Sequence, residues 1–153
     1  MKFNPRQLMS VCCLIGFVAP TMLGAQAPRV IALKASDNMR FDVTQITAKP
    51  GELLRVRLTT SSTLPKTAMA HNFVLLAGGA DPSAFVMAAA MARTTDYIPV
   101  TLKASILAAT GLAGAGETVD VTFKAPTKAG RYVFLCSFPG HYNSGMTGTL
   151  TVK

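Results

Sequence analysis

Residues 131–153 read RYVFLCSFPGHYNSGMTGTLTVK. The run 131–136 has the composition of a buried strand, and residues 147–153 form another strand that closes the sequence. The loop between them places Cys136, His141 and Met146 at even steps of five. One short segment therefore carries a soft sulfur, an imidazole and a thioether, three donors that suit a transition metal.

Upstream, short strand-like runs recur between turn signals. Residues 30–34 and 41–48 flank the turn-prone Ser36-Asp37-Asn38, and Lys49-Pro50-Gly51-Glu52 is a tight-turn sequence. Leu54, Val56 and Leu58 then alternate with Arg55 and Arg57, the period of a half-buried strand. A polar loop with Pro65 covers 59–68, and residues 71–76 read as a strand ended by Gly78-Gly79. Asp81-Pro82 is an N-cap with Pro at the first helical position, which predicts a helix over 83–93 with Met87 and Met91 on one face as core packing. Residues 101–107 read as a strand and 108–116 as a small-residue loop, after which Val119, Val121 and Phe123 alternate with Asp120, Thr122 and Lys124. Seven or eight short strands, with one helix and no repeat or linker, predict an all-β sandwich.

The first part of the chain reads as an address. Lys2 and Arg6 precede an uncharged stretch over 7–28 whose 8–17 portion is almost wholly apolar, and Ala25-Gln26-Ala27 has the pattern of a signal-peptidase site. The expected organisation is a secretory signal at 1–27 and one domain at 28–153. Cleavage after Ala25 fits as well, and the alternative is an uncleaved membrane anchor. The formal charge of +8 comes from 15 basic and 7 acidic residues, with the basic ones scattered rather than clustered, so a nucleic-acid partner is not expected. The charge suits either solubility or steering toward acidic partners.

Of the 3 cysteines, Cys12 and Cys13 fall in the apolar stretch, so export leaves Cys136 alone in a compartment where thiols normally pair. A lone thiol there is an inert buried group, an intermolecular bridge, a nucleophile or a metal ligand. A nucleophile needs a base and an orienting acid, and the 136–146 loop contains no Asp or Glu. Copper cycling between Cu(I) and Cu(II) is served by a thiolate with two imidazoles and a distant Met sulfur. His71 is the only other histidine, and a sandwich can bring it beside the C-terminal loop. Taken singly, His71 reads as a structural histidine and Met146 as packing; together with Cys136 and His141 they form a copper set.

Met69-Ala70-His71-Asn72-Phe73-Val74-Leu75, Cys136-Ser137-Phe138-Pro139-Gly140-His141 and the ending Met146-Thr147-Gly148-Thr149-Leu150-Thr151-Val152-Lys153 resemble the azurins of the cupredoxin family. The Leu64-Pro65-Lys66 loop and the helical flap at 82–94 match as well, so the resemblance covers essentially the whole chain after the signal. It implies a Greek-key sandwich holding one type 1 (blue) copper, with His71, Cys136 and His141 equatorial and Met146 axial. It further implies that Asn72 braces the Cys136 loop, that the Phe138 N–H points at the Cys136 sulfur, and that the Ala70 carbonyl is a weak fifth contact. Azurins have glycine at the Ala70 position, carry an N-terminal disulfide that this sequence lacks, and space the last ligand one residue closer; the spacing here resembles the auracyanins.

The implied function is that of a periplasmic carrier of single electrons, not an enzyme. Its implied partners are c-type cytochromes or periplasmic reductases and oxidases, docking near His141 on a patch of Met39, Met69, Pro139 and Gly140. Met39 and Met69 suit the core equally well. No membrane partner is expected after signal cleavage. The alternative is a copper-binding module for delivery or storage. A copper reductase needs a second copper with histidines of its own, and this sequence has 2 histidines in all.

Overall fold

The computed structural model describes residues 26–153. The expected signal sequence, apart from its last two residues, lies outside the described residues, as do Cys12 and Cys13. Eight strands form two sheets: β1 (Arg29–Ser36), β3 (Leu53–Ser61) and β6 (Thr118–Lys124) in one; β2 (Gln45–Ala48), β8 (Thr147–Val152), β7 (Gly130–Leu135), β4 (Val74–Leu76) and β5 (Ile106–Ala109), in that order, in the other. β1 runs parallel to β3 and β2 parallel to β8, while the remaining pairs are antiparallel. This is the all-β sandwich expected from the sequence.

The alternation in β3 is a record of its place. Leu54, Val56 and Leu58 are buried between the sheets, and Arg57 and Thr59 face water. β4 and the 132–135 part of β7 are unbroken apolar runs because both of their faces are covered there. Phe73, Leu75, Phe134 and Cys136 join the inter-sheet core, whereas Val74, Leu76 and Leu135 pack outward beneath the helix α1 (Pro82–Ala90). Asp81 caps α1 by accepting a 2.8 Å bond from the Ser83 N–H.

Two expectations are corrected. Met87 and Met91 are 74% and 88% exposed; the buried face of α1 is Phe85 and Ala89, which puts the methionines on the opposite side. The region read as a strand over 101–107 is largely a 3₁₀ segment, Val100–Ser105, and β5 takes only the last two residues of that run together with the first two of the stretch read as loop. Its register is set by pairing with β4, through Val74↔Ala109 and Leu76↔Ile106, rather than by any local pattern.

The strand directions give the sandwich two poles. The connections β1–β2, β3–β4, β5–β6 and β7–β8 gather at one of them, and these loops contain His71, Cys136, His141 and Met146.

Candidate metal centre

The β7–β8 hairpin builds most of the site. Its last strand pair is Leu135↔Thr147, and one further bond, from the Cys136 N–H to the Met146 carbonyl at 3.1 Å, closes the mouth of the loop. The Thr147 hydroxyl donates to the Phe134 carbonyl at 2.9 Å and locks the same corner. Inside the loop, the His141 N–H bonds the Phe138 carbonyl at 3.1 Å and the Met146 N–H bonds the His141 carbonyl at 2.9 Å. Gly140, at φ +84°, takes the left-handed turn that lets the chain fold back here. These bonds, nearly all of them backbone, thus hold Cys136, His141 and Met146 in one closed loop.

His71 comes from the other side. It precedes β4 and is pinned by a two-bond bridge to Ala113, N–H to carbonyl in both directions at 2.9 and 2.8 Å. Next to it Asn72, fully buried, reaches across to the hairpin: its side-chain NH₂ donates to the Ser137 hydroxyl and its carbonyl oxygen accepts from the Ser137 N–H, both at 2.8 Å. The His71 segment and the Cys136 segment are therefore fastened together.

The donor atoms of His71, Cys136 and His141 lie within 4.8 Å of one another, and all three residues are buried. The Cys136 sulfur is 3.5 Å from His141 Nδ1, and the two imidazole centroids are 4.9 Å apart. Neither nitrogen of His71 has a hydrogen-bond partner. Buried polar atoms ordinarily find partners, so an imidazole without one, offering a nitrogen within 4.8 Å of a thiol and a second imidazole, fits a metal cation. Met146 is wholly buried in the core cluster that includes Cys136.

Burial shapes the chemistry of each donor. It pushes the Cys136 thiol up to about 12, opposed by the N–H groups of Asn72 and Phe138 that favour the thiolate. Burial, with a lesser contribution from nearby His71, lowers His141 to about 4, and burial also lowers His71. Both rings are thus neutral near pH 7, the form that binds metal, and a metal taking the sulfur as thiolate displaces one proton.

The donor chemistry, soft sulfur with two imidazoles, is that of copper. The model of the copper binding proteins, plastocyanin/azurin family, matches residues 29–153. The chain belongs to that family. It is 34% identical to azurin from Pseudomonas aeruginosa over 151 residues, 97% of this chain and 99% of that one. It is 36% identical to auracyanin-B from Chloroflexus aurantiacus over 119 residues, 77% of this chain, but spans only 49% of that protein's length. The structure of auracyanin A, described as a "blue" copper protein from the same green thermophilic photosynthetic bacterium, superposes with a TM-score of 0.73. Its identity to the chain is 33%, over 83% of this chain and 100% of that one. In a cupredoxin of this kind copper is the cofactor, and one such site is formed among the described residues.

Sequence reasoning missed the supports drawn from distant segments. Asp37 accepts from the Thr63 N–H and hydroxyl at 3.2 and 3.1 Å, tying the β1–β2 loop to the loop that leads to His71. The Thr110 hydroxyl accepts from the Phe73 N–H at 3.0 Å. Phe138 lies between the His141 ring, 4.8 Å away, and the Tyr97 ring, 5.0 Å away edge-on. Asp37 stood in a legible turn sequence; Tyr97 and Thr110 carried no signal.

Proposed function

We propose that this protein is a periplasmic carrier of single electrons, holding one type 1 copper on His71, Cys136 and His141 with Met146 as the axial ligand. The observation that carries the reading is the convergence of three buried donor atoms within 4.8 Å. Copper in such a set supplies a one-electron Cu(I)/Cu(II) couple. The chain supplies rigidity and dryness: the backbone bonds of the 136–146 loop and the Asn72–Ser137 clasp fix the donors before metal arrives, and His71, Cys136 and Met146 are sealed from water. A site whose donors need not move when charge changes has little reorganisation to oppose transfer.

His141 is the donor nearest the surface, though only 2% exposed. Pro139 and Gly140 beside it are exposed, and Met39 and Met69 are half-buried. Redox proteins such as c-type cytochromes or periplasmic reductases and oxidases would dock on this rim. A delivery or storage module calls for donors open to exchange, and the closure of this site argues for the carrier. Location in the periplasm rests on the signal-like residues 1–27.

Adding Cu(II) to the exported protein and recording visible and EPR spectra tests the assignment. An intense thiolate-to-copper band with narrow hyperfine splitting is expected, and Cys136→Ser should abolish the band while far-UV circular dichroism stays that of a β-sandwich. A colourless Cu(II) complex of the wild type would overturn the carrier reading.

A further inference from the structure

Two consecutive residues hold a backbone conformation that side-chain-bearing residues rarely adopt. Asp96 has φ +54° and ψ +38°, and Tyr97 has φ +59°. Aspartate tolerates the left-handed region, but a bulky tyrosine there is an outlier, and such strain persists only where the surroundings impose it. Here they do. After α1 and the 3₁₀ turn Arg93–Thr95, the Tyr97 N–H returns to the Ala92 carbonyl at 2.9 Å, and the Thr95 hydroxyl donates to the Ile98 carbonyl at 2.7 Å. The reversal lays the Tyr97 ring on the cluster beneath α1 and against the metal loop, where it meets Phe138 edge-on, 5.0 Å away at 65°.

The backbone of Phe138 is fixed, since its carbonyl accepts from the His141 N–H and its N–H favours the Cys136 thiolate. Its ring is less constrained. It is only half-buried, and two depressions of about 170 Å³ each border it, one toward Val86, Met87 and Ala90 of α1 and the other toward Lys66, Arg93 and Leu112. Space of that size can receive a phenyl ring. The same ring lies 4.8 Å from the imidazole of His141. That imidazole's polar contact is the Cys136 sulfur at 3.5 Å, so its plane depends on the rings packed against it, His71 at 4.9 Å and Phe138.

The geometry points to Tyr97 as a positioning residue for His141: its ring holds Phe138 in one orientation, and Phe138 holds the imidazole in the orientation from which it meets the metal. The strained reversal at 96–97 is what brings the Tyr97 ring to that place. The inference rests on His141 being a ligand, as proposed above, but the chain of ring contacts is a property of the metal-free protein and can be tested without copper.

The test compares Tyr97→Leu, Tyr97→Phe and Ile98→Ala by side-chain NMR of the metal-free protein and by the visible spectrum after copper loading. Tyr97→Leu should raise the population of alternative His141 orientations by roughly two- to tenfold, the worth of one aromatic contact. The His141 ring signals then broaden or double, while those of His71, held through its bridge to Ala113, stay as in wild type. Loaded with copper, the same variant should respond to free imidazole at a concentration that leaves the wild-type band unchanged. Tyr97→Phe keeps the ring and should match wild type in both measurements. Ile98→Ala removes packing from the same cluster beneath α1 and should lower Tm, yet leave the His141 signals unchanged. Phe138→Leu should broaden those signals, and adding Tyr97→Leu to it should change them little further, because Tyr97 acts through Phe138. Sharp His141 signals in Tyr97→Leu, equal broadening in Ile98→Ala, no recovery in Tyr97→Phe, or full additivity with Phe138→Leu would each overturn the inference. A wild type that forms no blue copper site would instead overturn the ligand reading, and the metal-free signals would still decide the role of Tyr97.

Discussion

Asn72 shows how much of the site depends on one side chain. It is fully buried, and its amide satisfies both the N–H and the hydroxyl of Ser137, which is itself buried. Asn72→Ala strands those groups in a dry interior, so the metal-free protein should lose about 2–3 kcal/mol in denaturant unfolding. The copper spectrum should shift as well, since the Asn72 side chain fastens Ser137, the residue next to Cys136. His141 is the opposite case. The backbone bonds of the loop at this residue use its N–H and carbonyl, and the ring's polar contact is with the Cys136 sulfur. His141→Gly should therefore keep the hairpin and leave a hole that free imidazole can enter; a titration with imidazole should restore the wild-type band, and an unchanged spectrum would count against His141 as a ligand.

At the level of elements, the tightest point is where β8 passes β7. A Cβ on Gly148 would lie 2.6 Å from both Phe134 Cε2 and the Thr44 carbonyl, an overlap with a core ring and with backbone. Gly148→Ala should cost about 1–3 kcal/mol in equilibrium unfolding, while Gly111→Ala, with nothing within 4 Å, should be neutral or stabilising by up to about 1 kcal/mol. The same contrast explains what could be read in advance. β3, β6 and β7 were legible because their burial patterns follow from position in a sandwich, and Cys136, His141 and Met146 because one loop contains them all. β5 was misplaced because Ile106–Ala109 is a strand only through pairing with Val74–Leu76. The methionines of α1 were misassigned because Ala and Met on all sides leave no clear stripe, and the face was decided by Phe85 fitting over Val74, Leu76 and Leu135. Asp37, Tyr97 and Thr110 act through partners far away in sequence.

For the molecule as a whole, the core and the metal centre are separable. The inter-sheet cluster and the cluster beneath α1 are complete without a metal, and the donor-bearing loops are held by protein hydrogen bonds. Copper should therefore not be needed for folding, unlike the metal of a small zinc domain. Chelator-treated protein should keep its far-UV spectrum and unfold cooperatively. Because copper binds the folded chain at a preassembled site, loading should raise stability by about 1.4 kcal/mol for each tenfold excess of metal over Kd, or about 4 kcal/mol at a thousandfold excess. For a domain of this size that is a rise of roughly 10–20 °C in Tm. Cys136→Ser, lacking the thiolate, should show most of this rise removed while its metal-free Tm stays close to wild type. Calorimetry of the four samples, wild type and variant with and without Cu(II), checks the cycle. Loss of the β-sheet spectrum on metal removal would mean that the loops are organised by copper, not by the sandwich.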